Sequence, residues 1–206
     1  DSDTRLVREP ARLAQATTVW LPRGETLDRP FVDALIGWVR GGGTLIVTDP
    51  DAFTRAPDGS SLADLRDVLI GAGTTTAAGG TVVVPAGAIA PALPAQQLAV
   101  PVFGAVAGAF TQVPAGATVV GTNVDGTPAI IRRSVGSGQV LAFAGDVMFP
   151  QALDAPGSLV ELAMAIQTWR GASLGLPSWR YEIPGNPAPG RLPWRTAARP
   201  VYGPPG

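Results

Sequence analysis

The stretch Trp38-Val39-Arg40-Gly41-Gly42-Gly43-Thr44-Leu45-Ile46-Val47 joins two periodicities. Upstream of it, Phe31, Ala34, Leu35, Trp38 and Val39 recur at helical spacing and mark one apolar face. The glycines stop that helix, because glycine takes the left-handed conformation that closes a helix C-terminus. Thr44–Thr48 is then an unbroken aliphatic and β-branched run, the signature of a strand buried on both faces. Working outward, Asp28 stands where an N-cap is needed, with Pro30 in the first turn, where a missing N–H costs nothing. Thr17–Leu21 is a second buried run, ended by the turn Pro22-Arg23-Gly24-Glu25. On the other side Asp49-Pro50-Asp51 breaks the strand. Ser61-Leu62-Ala63-Asp64, a capping box with Asp in the Glu position, opens a helix to about Ile70, closed by Gly71. This strand–helix order predicts an α/β fold: a flavodoxin-like, mostly parallel sheet with helices on both faces.

The character of the chain then changes. Val68 to Val124 carries no charged residue. Pro85, Pro91, Pro94, Pro101 and Pro114 divide it, with short strands predicted near 81–84, 98–103 and 117–121. Two readings stay open: an excursion packed on its own core, or a surface, within 82–113, covered by another chain, since interface cores are depleted in charge. Regular structure resumes at Thr127–Arg133, Gly136-Ser137-Gly138 and Gln139–Ala144, which read as a hairpin. Gly145-Asp146 follows, and Ser158 opens a predicted helix to about Arg170. Eight prolines then lie between Pro177 and Pro205, interleaved with aromatic and Arg residues, as expected of an extended arm. The expected organisation is a lead-in at 1–14, one domain over 15–172, and the arm at 173–206.

Composition removes much chemistry. The 206 residues carry 15 basic and 16 acidic side chains, a formal charge of −1. All the basic residues are Arg; there is no Lys, His or Cys. Thiolate nucleophiles, Ser-His-Asp arrangements, Schiff-base lysines, a P-loop lysine and most zinc sites are thereby excluded. A net charge near zero argues against a nucleic-acid surface. No run of 18 apolar residues is present to span a membrane.

Carboxylate chemistry remains. Ligands of parallel sheets bind outside the carboxyl ends of the strands, where Glu25, Asp49, Asp51 and Asp146 would share a rim able to hold Mg²⁺ or Ca²⁺. Asp49-Pro50-Asp51 and Gly145-Asp146 faintly resemble the haloacid-dehalogenase-type phosphatases, which implies Asp49 and Asp51 as nucleophile and Mg²⁺ ligand. Ala52-Phe53 stands where that signature has Gly-Thr, and the expected Lys is missing. Structural caps are the simpler reading of these residues. Gly136-Ser137-Gly138 does not open a helix and so is not a phosphate loop. Arg132-Arg133 offers an anion clamp, although on an alternating strand one of the two must face outward.

The order of Thr17–Leu21 with Pro22, Trp38–Val47, and Gly126-Thr127-Pro128-Ala129-Ile130 through Gly136–Asp146 resembles class I glutamine-amidotransferase-like domains. It is similar in particular to non-catalytic ones: the trimerisation domain of family-42 β-galactosidases and membrane-anchored envelope proteins. The resemblance covers roughly residues 15–170 and implies the flavodoxin-like sandwich. Active members place a Cys after the strand equivalent to Thr44–Thr48, at a strained elbow, and a His later. Here Thr48, Asp49 and Pro50 occupy the elbow and no His exists, so the chain is expected not to be an enzyme and to need no cofactor. The family also has a strand and helix upstream of Thr17, for which only sixteen residues precede here.

The expected role is therefore a structural or assembly subunit working through protein–protein contacts, with other chains or with copies of itself. The alternative is a carbohydrate-linked accessory domain of a larger glycosidase, and the third reading a Mg²⁺-dependent phosphatase using Asp49 and Asp51. Trp and Arg dominate interfaces, so Trp179, Trp194, Tyr202 and Arg195 of the arm are the candidate partner-binding residues. The expected location is the cell envelope or another extracytoplasmic site, with membrane attachment through segments outside this sequence.

Overall fold

A computed structural model describes residues 10–21, 24–71, 73, 75–77, 80–89, 96–100 and 108–145. After a 3-10 helix at Pro10–Gln15 come β1 (Thr18–Leu21), α1 (Arg29–Arg40), β2 (Thr44–Val47), α2 (Ala63–Leu69), β3 (Thr75–Ala77), β4 (Gly80–Val84), β5 (Gln96–Val100), β6 (Gly108–Phe110), β7 (Ala117–Asn123), β8 (Pro128–Val135) and β9 (Gly138–Phe143). The protein is mixed α/β. A seven-stranded sheet runs β1-β2-β9-β8-β7-β4-β5, and β3 pairs with β6 in a separate ribbon.

The predicted first half forms. Phe31, Val32, Leu35, Ile36 and Val39 are buried along α1, each contributing about 1.5–3 kcal/mol of burial free energy. Asp28 is the N-cap by position, in extended conformation, but its carboxylate makes no capping bond. Gly42, at φ +116°, is the left-handed residue after α1; Gly41 stays right-handed. A side chain at Gly43 would collide with the Trp38 ring, whose Nε1 donates to the Ala16 carbonyl (3.0 Å). At α2, Ser61 Oγ accepts from the Ala63 N–H (3.2 Å). Asp64 does not complete the capping box. It takes both terminal nitrogens of Arg29 (2.9 Å each), tying the first turns of α1 and α2 together.

The mostly parallel sheet requires correction. Only β1, β2 and β9 run parallel; β9-β8-β7-β4-β5 is antiparallel throughout. The reason lies in the connections. Parallel neighbours need crossovers of a dozen residues or more, whereas β8 and β9 are joined by Gly136-Ser137 alone, and β7 and β8 by a short turn. Gly136 (φ +62°) occupies the first central position, as in a type II′ turn.

The two described helices also share one face. Leu45, Val47, Val140, Ala142 and Ile131 form a single core with Phe31, Leu35, Leu65 and Leu69, joined by Leu13 of the 3-10 helix. The opposite face is buried too, through Ile46, Ile130, Leu141 and Phe143. The predicted helix at 158–170 and the arm lie outside the described residues. Of the uncharged stretch, Val82, Val84, Ile89, Ala109 and Phe110 are already buried within this chain, so at these positions the self-packed reading holds and no second chain is needed to cover them. Among the described helices none is long and apolar enough to cross a membrane.

Candidate functional site

The carboxyl ends of β1 and β2 are closed by the loop that follows β2. Asp49 organises it: the Gly24 N–H donates to Oδ2 (2.7 Å) and the Asp51 N–H to Oδ1 (2.9 Å). The loop then pairs with the segment after β1, the N–H groups of Phe53, Thr54 and Arg55 donating to the carbonyls of Gly24 and Glu25. Glu25 meets Arg55 at 2.8 Å with both side chains half exposed. Trp20 Nε1 donates to Thr48 Oγ1 (3.0 Å).

Backbone strain sits at Phe53, not at the expected elbow of Thr48, Asp49 and Pro50. Phe53 adopts φ +62°, which costs a side-chain-bearing residue roughly 1–2 kcal/mol, and its ring is fully buried. A catalytic elbow presents its strained side chain outward to substrate; this one points into the core, where burying the ring offsets the strain. Arg66 of α2 donates through Nη1 to the Ala52 carbonyl and so holds the same loop. Burial lowers the Arg66 pKa from its ordinary value, partly opposed by the charges of Asp51 and Asp49.

Among the described residues, no group of acidic side chains is placed to hold a metal ion. Both Asp49 oxygens are engaged by backbone N–H groups, so the structure does not assemble the Asp49/Asp51 cation site. Asp146 lies outside the described residues, as do Trp179, Trp194, Tyr202 and Arg195.

The carboxyl end of β9 is covered as well. A side chain at Gly108 of β6 would collide with the Ala144 carbonyl oxygen, so the two backbones touch there. Buried Asn123 fixes the crossing, its Nδ2 donating to the Gly108 carbonyl (3.1 Å) and to Thr127 Oγ1 (2.9 Å).

Near the amino end of β9, beside the end of α1, the surface opens. A groove of about 410 Å³ is lined by Arg40, Asp67, Val68, Arg133, Ser134, Val135 and Gly136. The Ser137 N–H donates to the Arg40 carbonyl (2.9 Å) and the Gln139 N–H to that of Gly43 (3.1 Å), docking the end of α1 against the β8–β9 turn. Alternation separates the arginine pair. Arg132 Nη1 reaches the Ile89 carbonyl (3.3 Å), while Arg133 Nη1 donates to the Asp67 and Val68 carbonyls in the last turn of α2. Arg132 and Arg133 thus form no clamp, as strand alternation implied, and the other cation lining the groove with Arg133 is Arg40. Helical phase of α1 and strand alternation of β8 would have placed both on the helix-covered side, but nothing in the sequence ties the end of α1 to the β8–β9 turn.

No protein-family model matches the sequence, and no curated protein matches it. Solved structures do. The chain is similar to the β-galactosidase of Bacillus circulans sp. alkalophilus, at 14% identity and TM-score 0.55 over 80% of this chain and 24% of that one. It is similar to Gan42B, a GH42 β-galactosidase from G. stearothermophilus, at 16% identity and TM-score 0.52 over 80% and 22%. It also resembles the β-galactosidase of the haloarchaeon Halorubrum lacusprofundi, at 18% identity and TM-score 0.53 over 77% and 23%. The likeness is one of fold, and the chain spans about a quarter of those proteins' length.

Proposed function

We propose that this chain is a non-catalytic accessory or structural domain of the kind contained in GH42 β-galactosidase chains, contributing protein–protein contacts rather than chemistry. The observation that carries the reading is the closed carboxyl edge. Asp49 binds two backbone N–H groups, the strained residue is a buried Phe, and β6 seals the end of β9. In this reading the domain is amidotransferase-like, with Thr48-Asp49-Pro50 where active members hold their nucleophile. The arm supplies further contacts, with Trp179, Trp194, Tyr202 and Arg195 as the proposed anchors.

The test is an assay of the purified chain on glutamine, a nitrophenyl galactoside and a nitrophenyl phosphate, with and without Mg²⁺, beside its native mass at several concentrations. No turnover above background, with association that weakens when residues 177–206 are deleted, is expected. Mg²⁺-dependent phosphate release abolished by Asp49→Asn would overturn the reading and restore the phosphatase.

A further inference from the structure

We propose that the groove at the amino end of β9 receives a carboxylate from an acidic segment of a partner protein, held between Arg40 and Arg133. The proposal rests on the accessory-domain reading and names the chemistry of its partner. Arg133 is pre-set: its Nη1 caps the Asp67 and Val68 carbonyls, which fixes the guanidinium plane at the groove wall and leaves its other nitrogens available. Arg40, at the end of α1, belongs to the same lining and is exposed, and among the described residues no acceptor takes its guanidinium. A planar fork of this kind matches a carboxylate through two parallel hydrogen bonds.

Charge selects the ligand further. Arg40 and Arg133 face one acidic side chain, Asp67, which leaves a single positive charge in the lining. One carboxylate balances it, whereas a phosphate at about −1.5 to −2 would exceed it. Val68, half-buried, adds a small apolar surface beside the arginines, whereas Val135 is buried beneath it. The groove is open to solvent rather than enclosed, which suits a side chain presented by a protein surface better than a buried small molecule. Beside the groove the β8–β9 turn packs closely on the end of α1, where a Cβ at Gly136 would lie 2.7 Å from the Arg40 carbonyl oxygen.

The experiment is an NMR titration of the full ¹⁵N-labelled chain, observing arginine Nε–H resonances. The probes are acetyl-Val-Glu-Val-amide, its Val-Gln-Val isostere, and sodium acetate. Saturable shifts at Arg40 and Arg133 with the Glu peptide, little response to the Gln peptide, and at least fivefold weaker binding in Arg40→Gln are expected. Raising salt from about 50 to 500 mM should weaken the Glu peptide similarly. Arg40 sits at an exposed helix end, and an unchanged far-UV spectrum confirms that the variant folds. Equal binding of Glu and Gln peptides, no shift with either, or acetate binding as tightly as the Glu peptide would each overturn the proposal. These failures are separate from failure of the accessory-domain reading, which turnover in the enzyme assays would sink whatever the peptides do.

Discussion

The two ends of the three parallel strands are finished in opposite ways. At the carboxyl ends of β1, β2 and β9 the chain folds back over itself: the Asp49 loop lies against Gly24 and Glu25, and β6 rests on Ala144. At the amino end of β9 the termini of α1 and α2 and the β8–β9 turn leave an arginine-lined groove. In open α/β sheets the carboxyl end is the one that takes ligands. Here, among the described residues, backbone covers that end, with the Glu25–Arg55 pair half exposed beside it, and the groove lies near the other. A sheet of this kind can thus have the carboxyl ends of its parallel strands covered by its own chain while a groove opens near the other end.

The strongest way to break the comparison is at the β6 crossing. Gly108→Ala places a methyl group against the Ala144 carbonyl, where only main-chain movement can relieve the overlap. A loss of about 3 kcal/mol is expected, at the upper end of overpacking costs. Urea unfolding of the variant measures it, and an unchanged midpoint would show that β6 does not seal β9. Next is the Asp49 latch. Asp49→Ala leaves the Gly24 and Asp51 N–H groups without their acceptor in a half-buried loop, costing about 1–2 kcal/mol. Asp49→Asn, which keeps one acceptor oxygen, should lose less. If the two variants unfold at the same denaturant concentration, the carboxylate is not the latch.

A substitution of opposite sign marks the less crowded surface. Gly37 is an exposed position within α1, with nothing within 4 Å of the Cβ it lacks. Gly37→Ala should stabilise the protein by about 0.5–1 kcal/mol, through helix propensity alone. A destabilised variant would mean that a partner surface, or chain outside the described residues, needs that bare backbone.

Legibility in the sequence followed the range of the interactions. β1, α1, β2 and α2 were readable because their signals are local: periodicity at Phe31–Val39, a left-handed glycine, and the Ser61–Asp64 start of α2, although Leu62 and not Ser61 is the N-cap there. Short strands in the uncharged stretch were readable within a few residues, at Gly80–Val84, Gln96–Val100 and Ala117–Asn123, but their pairing was not. Register between β4 and β7 joins residues forty apart, and no pattern in either strand selects the other. The candidate site was least legible. Asp49 could be named but not its role, because capping and metal binding both use an Asp at a strand end. Phe53 gave no signal, since a left-handed Phe is chosen by its surroundings rather than by its own preference. Arg40 and Arg133 meet only once a helix end and a hairpin are docked together.

The smallest expected effect concerns the outer latch of the carboxyl end, the Arg29–Asp64 pair that joins the first turns of the two helices. The Arg29 hydrogen bond holds the Asp64 carboxyl below the ordinary carboxylate range, while Arg29 is itself raised and stays charged throughout. A depressed acid pKa in the folded state means that the pair's contribution is complete above the unfolded value of about 3.9 and is lost as pH falls through the folded one. Asp58 and Asp125 are also depressed, by hydrogen bonds from Ser60 and Thr127, so acid destabilisation of the wild type alone would not isolate the pair. The informative quantity is the difference in melting temperature between wild type and Asp64→Asn. It should be small and positive at pH 6–7, shrink as pH falls from 5 towards 2, and shrink also in about 1 M salt, because both side chains are solvent-exposed and screened. A difference that stays flat across pH would assign the loss to the altered first turn of α2 instead. The carboxyl end would then be held by Asp49 and Gly108 without the Arg29–Asp64 latch.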